Sequence, residues 1–509
     1  MQPSDVRRFS IESAVFVCGA MVMAFEIVAS RILAPFIGTS TYTWTSLIGV
    51  ILASLSLGYW LGGRMADRRP DVRVLAGIIF ISAGLIAVTE LIKEVVLSFI
   101  SSAQIGIEMR SLAAAAILFA PASVCLGLVT PFAVKLKISS LADSGKTVGR
   151  LYALSTVGSI AGTFAAGFFL VPFVGSTRTL YLISASLIAV SIFLFPLKAD
   201  RLSIGAILVF ILSIAGNEAT IYLMRTKADV HDIDTEYSRI RVFTTTDKRT
   251  GRPIRAIATD PFAIQSARFL DSDETVFEYN RYYHLVRYFN PDFRRVLVIG
   301  GAGYSVPKDL LTKYPQVEID VVEIDPQMTV IARQYFGLQN DRRMSVIHED
   351  GRTFINHAPD GHYDAVMIDA FGSLFSVPYQ LTTKECIGQL KRSLTSHGVV
   401  ILNLGSAISG KGSKFLHAEL ATYKSDFKNV YLFKIYPEID DDRVQNLMIA
   451  AGKADILPEI PQGDVEIDRL WAHLYRSSVD SGVSPLTDDL APVEYYNAIA
   501  QDMRIAEHY

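Results

Sequence analysis

Arg295-Val-Leu-Val-Ile299-Gly300-Gly301-Ala302-Gly303-Tyr304 is an apolar run that empties into a glycine-rich turn. A buried strand entering a tight turn has this form, because glycine accepts backbone angles closed to other residues and lets a ligand approach the main chain. Taken alone, such a stretch can be no more than a turn. Its surroundings repeat the pattern. Glu318–Glu323, Met344–Ile347, Tyr363–Ile368 and Val399–Asn403 are further short apolar runs, and helical windows near 305–313, 326–337 and 382–394 separate them. Regular strand–helix alternation predicts a parallel sheet with helices on both faces. Later strands are expected at 429–435 and 446–450. A β-hairpin region is expected over 238–270, turning at Gly251-Arg252-Pro253, and a helical stretch around 275–290.

Ligands of open α/β sheets bind beyond the carboxyl ends of the strands. There the sequence places acids. Glu323 closes the second strand, twenty residues after Gly303, the distance at which a carboxylate can accept both hydroxyls of a ribose. Glu349-Asp350-Gly351 follows the third strand, with an acid able to accept from an exocyclic amine, and Asp369 follows the fourth. Each acid singly reads as a solvated strand end; together, after a glycine turn, they read as a nucleoside site. A dinucleotide would want GxGxxG and a pyrophosphate on the helix N-terminus, whereas GGAGYS has adjacent first glycines and no third at that step. An S-adenosyl ligand, which carries no phosphate, suits the looser turn better.

Outward from this core the composition changes. The chain has 509 residues, 19% of them charged. Residues 1–223 hold 16 basic and 11 acidic side chains, about 12% charged, and residues 224–509 hold 32 and 40, about 25%. The second value is that of ordinary globular domains. The first part carries seven apolar segments, near 11–34, 44–63, 74–100, 111–134, 148–172, 177–197 and 203–223. Each is of the ~20-residue length that crosses a bilayer as a helix. The run after Arg7 and Arg8 is too long for a signal peptide and is expected to be retained. The organisation expected is a transmembrane helical domain over 1–223 and a catalytic domain over 224–509, the latter with its hairpin region at 238–270 and its nucleoside-binding α/β core at 290–509.

Within the apolar segments Glu26, Arg31, Glu90, Asn217 and Glu218 either face a bundle interior or sit near an interface. Gly158-Ser-Ile-Ala-Gly162-Thr-Phe-Ala-Ala166 is a small-xxx-small ladder, a signal for close helix packing. Counting Lys and Arg between segments gives twelve on the side of the N-terminus and three opposite, which favours an inside N-terminus. Seven crossings would then carry the second domain outward, while a nucleotide metabolite is cytosolic. The catalytic domain is expected in the cytosol, against that count.

Cys18, Cys125 and Cys386 share no CxxC spacing, and the nine His form no HExxH. No disulfide framework or metal site is expected. The second part is net −8 without a basic run, so nucleic acid is not an expected partner.

At these residues the sequence resembles the spermidine synthase (polyamine aminopropyltransferase) family, in particular its bacterial branch with an N-terminal multi-pass membrane domain. The likeness runs through VLVIGGAGYSVPKDLL (296–311), VVEIDP (321–326), HEDGRTF (348–354) and YDAVMIDAFGSLFSVPYQLTTKE (363–385). It continues in LTDDLAPVEYY (486–496) and, in the first part, FEIVASRILAPFIGTS (25–40) and LSLGYWLGGRMADR (55–68). A second likeness, of Gly62–Arg69 to the loop between helices two and three of major facilitator transporters, lends weak support to a transporter.

The resemblance implies an all-α transmembrane bundle of about seven helices followed by a Rossmann-like α/β S-adenosylmethionine-dependent transferase domain. It implies decarboxylated S-adenosylmethionine as co-substrate, a small amine as acceptor, methylthioadenosine as product and no metal, and it admits a homodimer. Residue by residue, it implies that Glu323 binds the ribose hydroxyls and Asp350, with Gly351, the adenine amine. Gly300, Gly301 and Gly303 would form the turn beneath the nucleoside. Asp369 would stand beside the amine as general base, with Tyr379 and Gln380 on the acceptor and Gln265 and Tyr279 lining the site. Two positions depart from the family. Gly303 and Gly372 stand where family synthases carry acids, which opens the site to intact S-adenosylmethionine and puts a diamine acceptor in question. Two other functions remain open: a methyltransferase acting on a membrane or hydrophobic acceptor, and a transporter or sensor that binds a nucleoside without turnover.

Overall fold

The computed structural model describes residues 3–103, 105–138, 144–195, 201–370, 374, 376–454, 463–479 and 482–506. Gly372 and Lys198 lie outside them. The chain divides into two compact units, residues 1–227 with 234–238, and residues 228–233 with 239–509.

The first unit is helical: α1 (Pro3–Ile37), α2 (Thr41–Arg68), α3 (Val72–Ser101), α4 (Ile107–Leu118), α5 (Ala120–Gly127), α6 (Val129–Lys137), α7 (Ser144–Ala165), α8 (Ser176–Leu194) and α9 (Arg201–Lys227). Among the described residues six helices are long and apolar enough to cross a membrane: Ser10–Ile37, Thr41–Arg68, Val72–Ser101, Ala120–Lys137, Ser144–Val174 and Ser176–Leu194. The seventh expected segment is helical as well, in α9. The fourth, expected as one helix over 111–134, is broken twice. Pro121 and Pro131 lack the N–H that would continue the bonding, and each ring crowds the carbonyl four residues earlier, so the helix is interrupted at Phe119 and Leu128. Pro172 has a related effect after α7, where the backbone widens into a π-helical stretch over Ala166–Val174.

The small-residue ladder packs as its spacing predicts. A Cβ on Gly158 would lie 2.1 Å from the carbonyl oxygen of Phe16, and one on Gly162 the same distance from that of Ala20. Backbone therefore meets backbone between α1 and α7, and Ser159 donates to the Gly19 carbonyl at 3.2 Å. Glu90 is buried in α3, where it pairs with Lys93 at 2.7 Å, and Lys93 also donates to Thr177 at 2.8 Å.

The second unit opens with β1 (His231–Asp234), β2 (Arg239–Thr246), β3 (Pro253–Ala258) and β4 (Ser266–Phe269), one sheet in that order, with β2–β3 and β3–β4 antiparallel. The helical stretch expected near 275–290 is a 3₁₀ helix, Glu278–Leu285, that runs into α10 (Val286–Phe289). Then come β5 (Arg295–Ile299), α11 (Ser305–Lys313), β6 (Glu318–Val322), α12 (Pro326–Tyr335), β7 (Met344–Ile347), α13 (Gly351–His357), β8 (Tyr363–Ile368), α14 (Lys384–Ser393) and β9 (Leu394–Ser406). The chain ends with α15 (Lys414–Asp426), β10 (Asn429–Lys434), β11 (Gln445–Gly452), α16 (Val465–Ala472) and α17 (Val493–Ala506).

These strands form one sheet in the order β10-β11-β9-β8-β5-β6-β7. The five from β9 to β7 are parallel, and β10 and β11 add an antiparallel hairpin beside β9. Side chains alternate between two cores: Val296, Val298, Ala365 and Met367 face one, Leu297, Ile299, Val366 and Ile368 the other. Burial on both faces explains why the parallel strands read as continuous apolar runs. From β5 the chain steps outward to β6 and β7, then returns to lay β8 on the opposite side of β5. That reversal opens a crevice at the carboxyl ends of β5 and β8, where doubly wound sheets bind ligands.

Candidate active site

The glycine turn forms the floor of this crevice. Gly300 has φ +95°, and a Cβ on it would stand 2.3 Å from the Asp369 carbonyl oxygen, so the chain after β5 can pass the chain after β8 only with glycine here. At Gly303 a Cβ would meet Ser266 Oγ at 2.5 Å and the Phe336 ring at 3.0 Å. The space beside Gly303 is thus filled from β4. Ala302 and Tyr304 hold left-handed angles of +43° and +56°, and the buried Tyr304 hydroxyl is 2.7 Å from Thr329 Oγ1.

Glu323, one residue beyond β6, is buried. Its Oε2 accepts the backbone N–H groups of Gly301 at 2.8 Å and Ala302 at 3.1 Å, and its Oε1 accepts that of Asp325 at 3.0 Å. Burial pushes this carboxyl up from its ordinary value while the three N–H bonds pull it back. The acid joins the ends of β5 and β6; with two N–H groups on Oε2 and one on Oε1, lone-pair capacity for a further donor remains on Oε1.

Asp350 caps α13, accepting the Thr353 N–H at 3.0 Å. A Cβ on the next residue, Gly351, would lie 2.8 Å from Ile299 and 3.6 Å from Leu381. Leu381 ends the short 3₁₀ turn Tyr379–Leu381, so that turn packs against the glycine beside Asp350. Tyr379 itself is exposed and Gln380 half-buried.

Asp369 stands at the end of β8. Asn403 on β9 donates to Asp369 Oδ1 at 3.0 Å, and the Tyr279 hydroxyl is hydrogen-bonded to the same carboxylate. Asn446 on β11 donates to Asn403 Oδ1 at 3.0 Å. With its oxygen engaged there, the Asn403 amide can offer Asp369 only its N–H. Burial pushes the Asp369 carboxyl up to about 6, and the bonds from Asn403 and Tyr279 oppose the rise. Burial, then the Asp369 charge, hold the Tyr279 phenol well above its usual range. Tyr283, also buried, donates to the Ile368 carbonyl at 3.1 Å.

Gly300, Gly301, Glu323, Asp369 and Tyr279 are thus directly linked around one crevice. Gln265 immediately precedes Ser266, which backs the turn at Gly303, and its N–H bonds the Ile257 carbonyl at 2.9 Å. Asn403, Asn446 and Tyr283 were not foreseen as site residues. The visible signal was the single amide ending the apolar run Val399–Asn403. No group of three or more His, Cys, Asp and Glu able to hold a metal occurs among the described residues. The arrangement places an oriented carboxylate, raised by burial, beside a glycine turn packed tightly against its own chain.

The α/β domain is doubly wound, with acids at three successive strand ends beside a glycine turn. Within it, residues 276–438 match the spermine/spermidine synthase domain. The chain is 39% identical over 158 residues to a polyamine aminopropyltransferase of Vibrio vulnificus, covering 31% of this chain and 50% of that protein. Against polyamine aminopropyltransferase 1 of Streptomyces coelicolor it is 23% identical over 433 residues, 78% of this chain and 76% of the other. The chain spans about half the length of relatives such as the Vibrio protein. A crystal structure of a probable spermidine synthase from Corynebacterium glutamicum aligns at TM-score 0.42 and 19% identity, over 51% of this chain and 96% of that one.

Proposed function

We propose that the chain is a membrane-anchored transferase of the aminopropyltransferase type, which moves an alkyl chain from the sulfonium of decarboxylated or intact S-adenosylmethionine to an amine. Methylthioadenosine is the second product. The observation that carries this reading is Asp369, a carboxylate at the topological switch point, held by Asn403 and Tyr279 and pushed up to about 6 by burial.

In the reaction the amine lone pair forms a bond to the carbon next to sulfur. The carbon–sulfur bond breaks, its electrons return to sulfur as a neutral thioether, and the amine proton passes to Asp369. The leaving group arrives already activated by its positive charge, so placement of the amine and removal of its proton are the protein's share. Glu323 accepts from the ribose hydroxyls while bracing the turn, and Asp350 accepts from the adenine amine. Gly300, Gly301 and Gly351 shape the backbone on which the nucleoside rests, their own Cβ positions being taken by Asp369, Tyr304 and Ile299. Gln265 and Tyr279 line the site, and Tyr379 and Gln380 border the acceptor side. Gly303, backed by Ser266, leaves no acid to repel the carboxylate of intact S-adenosylmethionine, so both donors are accepted.

Membrane anchoring draws support from the first unit's outward face, where Val95, Phe99, Phe168, Phe169 and Phe173 are all more than 60% exposed. Apolar surface on this scale matches a lipid surround better than water. The transferase domain faces the cytosol, where such a donor is made.

The full-length protein in detergent or lipid, incubated with each donor with and without diamines, is expected to release methylthioadenosine. Release of S-adenosylhomocysteine would make it a methyltransferase. Nucleoside binding with no product would make it a sensor or transporter.

A further inference from the structure

Arg352 belongs to neither the turn nor the acids, yet its guanidinium reaches three separate segments. It follows Gly351 in the first turn of α13. Its Nη1 donates to the Gln380 carbonyl at 2.9 Å, Thr383 Oγ1 at 2.9 Å and Asp488 Oδ1 at 3.2 Å, and its Nη2 donates to Asp488 Oδ2 at 2.8 Å. Nε is engaged by Asn356 at 3.1 Å. Asp488 is tied in turn: it accepts the Thr383 hydroxyl at 2.6 Å, and its N–H donates to Glu385 at 3.0 Å. The Lys384 N–H bonds the Leu486 carbonyl at 2.8 Å. The closing motif Leu486–Tyr496, for which the mechanism has no use, is thereby bound to the start of α14.

We propose that Arg352 and Asp488 form a positioning clamp that holds the Tyr379–Leu381 turn against Gly351 and so builds the wall of the nucleoside pocket beside Asp350. Geometry, more than ion-pair energy, is what the clamp supplies. The Asp488 side chain is 47% exposed and that of Arg352 16%, and a pair so open to water contributes little stability. The planar fork, however, fixes both partners in one orientation. Leu381 sits 3.6 Å from where a Gly351 side chain would begin, so a shift of the turn by about one ångström would open the pocket wall. Arg352 contacts neither Asp369 nor its partners. Its loss should weaken capture of the nucleoside and of the amine, whose side Tyr379 and Gln380 border, while sparing proton transfer at Asp369. This rests on the transferase reading for its substrate, though not for its geometry.

Two measurements on the full-length protein test it. In Arg352→Ala, KM for the sulfonium nucleoside should rise about tenfold with kcat held within about twofold, as expected when a misplaced wall weakens binding alone. Asp488→Asn should raise KM less, about threefold. Arg352→Ala combined with Asp488→Ala should be no worse than Arg352→Ala alone, because the pair acts as one unit. Arg352→Lys should recover only part of the loss. Without substrate, amide exchange at Leu381 and Thr382, whose N–H groups bond Pro378 and Tyr379, should accelerate in Arg352→Ala. Unchanged exchange, or a fall in kcat at constant KM, overturns the clamp. A wild-type protein that makes no product from either donor overturns the transferase reading instead, and the exchange experiment still decides the clamp.

Discussion

Asp369 concentrates the chemistry and also a cost in stability. Its folded-state pKa lies at about 6, above the ordinary carboxylate value of 3.8. Its favourable contribution to folding is therefore complete below the ordinary value and lost as pH rises through about 6. At pH 8 the folded protein carries a charge it would rather shed. Asp369→Asn should consequently melt no lower than wild type at pH 8, while turnover falls by about 10²–10⁴-fold, the usual worth of a general base. Thermal melts and initial rates on the same preparation check both halves. The activity of the wild type should fall as pH drops through about 6, where the base is protonated. Asn403→Ala removes a donor to the charged form, so the acid limb of that pH–rate profile should move to higher pH. A limb that stays in place would remove Asn403 from the site.

At the scale of elements, the parallel strands were legible because burial on both faces leaves uninterrupted apolar runs, and the strand-end acids were legible because ligands of such sheets bind at one end. The Asn403–Asn446 relay was not. It joins residues 43 apart in sequence through the antiparallel pairing of β9 with β11, which puts Asn403 opposite Met448 and Asn446 two residues away on the same face. Local pattern carries no record of such a register. β9 itself runs longer than its apolar run, since Leu394 pairs with Tyr363 before a register shift and the polar residues before Val399 interrupt the apolar pattern. In the helical unit the ladder Gly158–Gly162 was legible as packing, whereas the breaks at Phe119 and Leu128 depended on weighing two prolines against an apolar run. Gly162→Leu would drive side-chain atoms into the Ala20 backbone. It should lower the melting temperature of the detergent-solubilised protein by several degrees, as overpacking costs typically about 1–3 kcal/mol.

The whole molecule couples a basic, apolar helical unit to an acidic α/β unit. The excess of acids in the second includes Glu323, Asp350 and Asp369, suited to a cationic sulfonium and an amine. The excess of Lys and Arg between the apolar segments, counted over seven crossings, argues against the side such a donor requires. Gln316, exposed on the α/β unit, offers a probe. In cells expressing a variant whose native cysteines are replaced and which carries Gln316→Cys, an impermeant maleimide should label the protein only after lysis. Labelling of intact cells would put the domain outside.

The central claim is that Asp369 drives alkyl transfer from sulfonium carbon to amine nitrogen. It is tested most directly by supplying donor labelled with ¹³C in the chain that becomes the aminopropyl or aminocarboxypropyl group, together with unlabelled amine, to wild type and Asp369→Asn. The label is then followed by mass spectrometry. The account predicts label in the amine product alongside unlabelled methylthioadenosine, and neither from Asp369→Asn at comparable times. Label retained in S-adenosylhomocysteine, or equal product from both proteins, would contradict it.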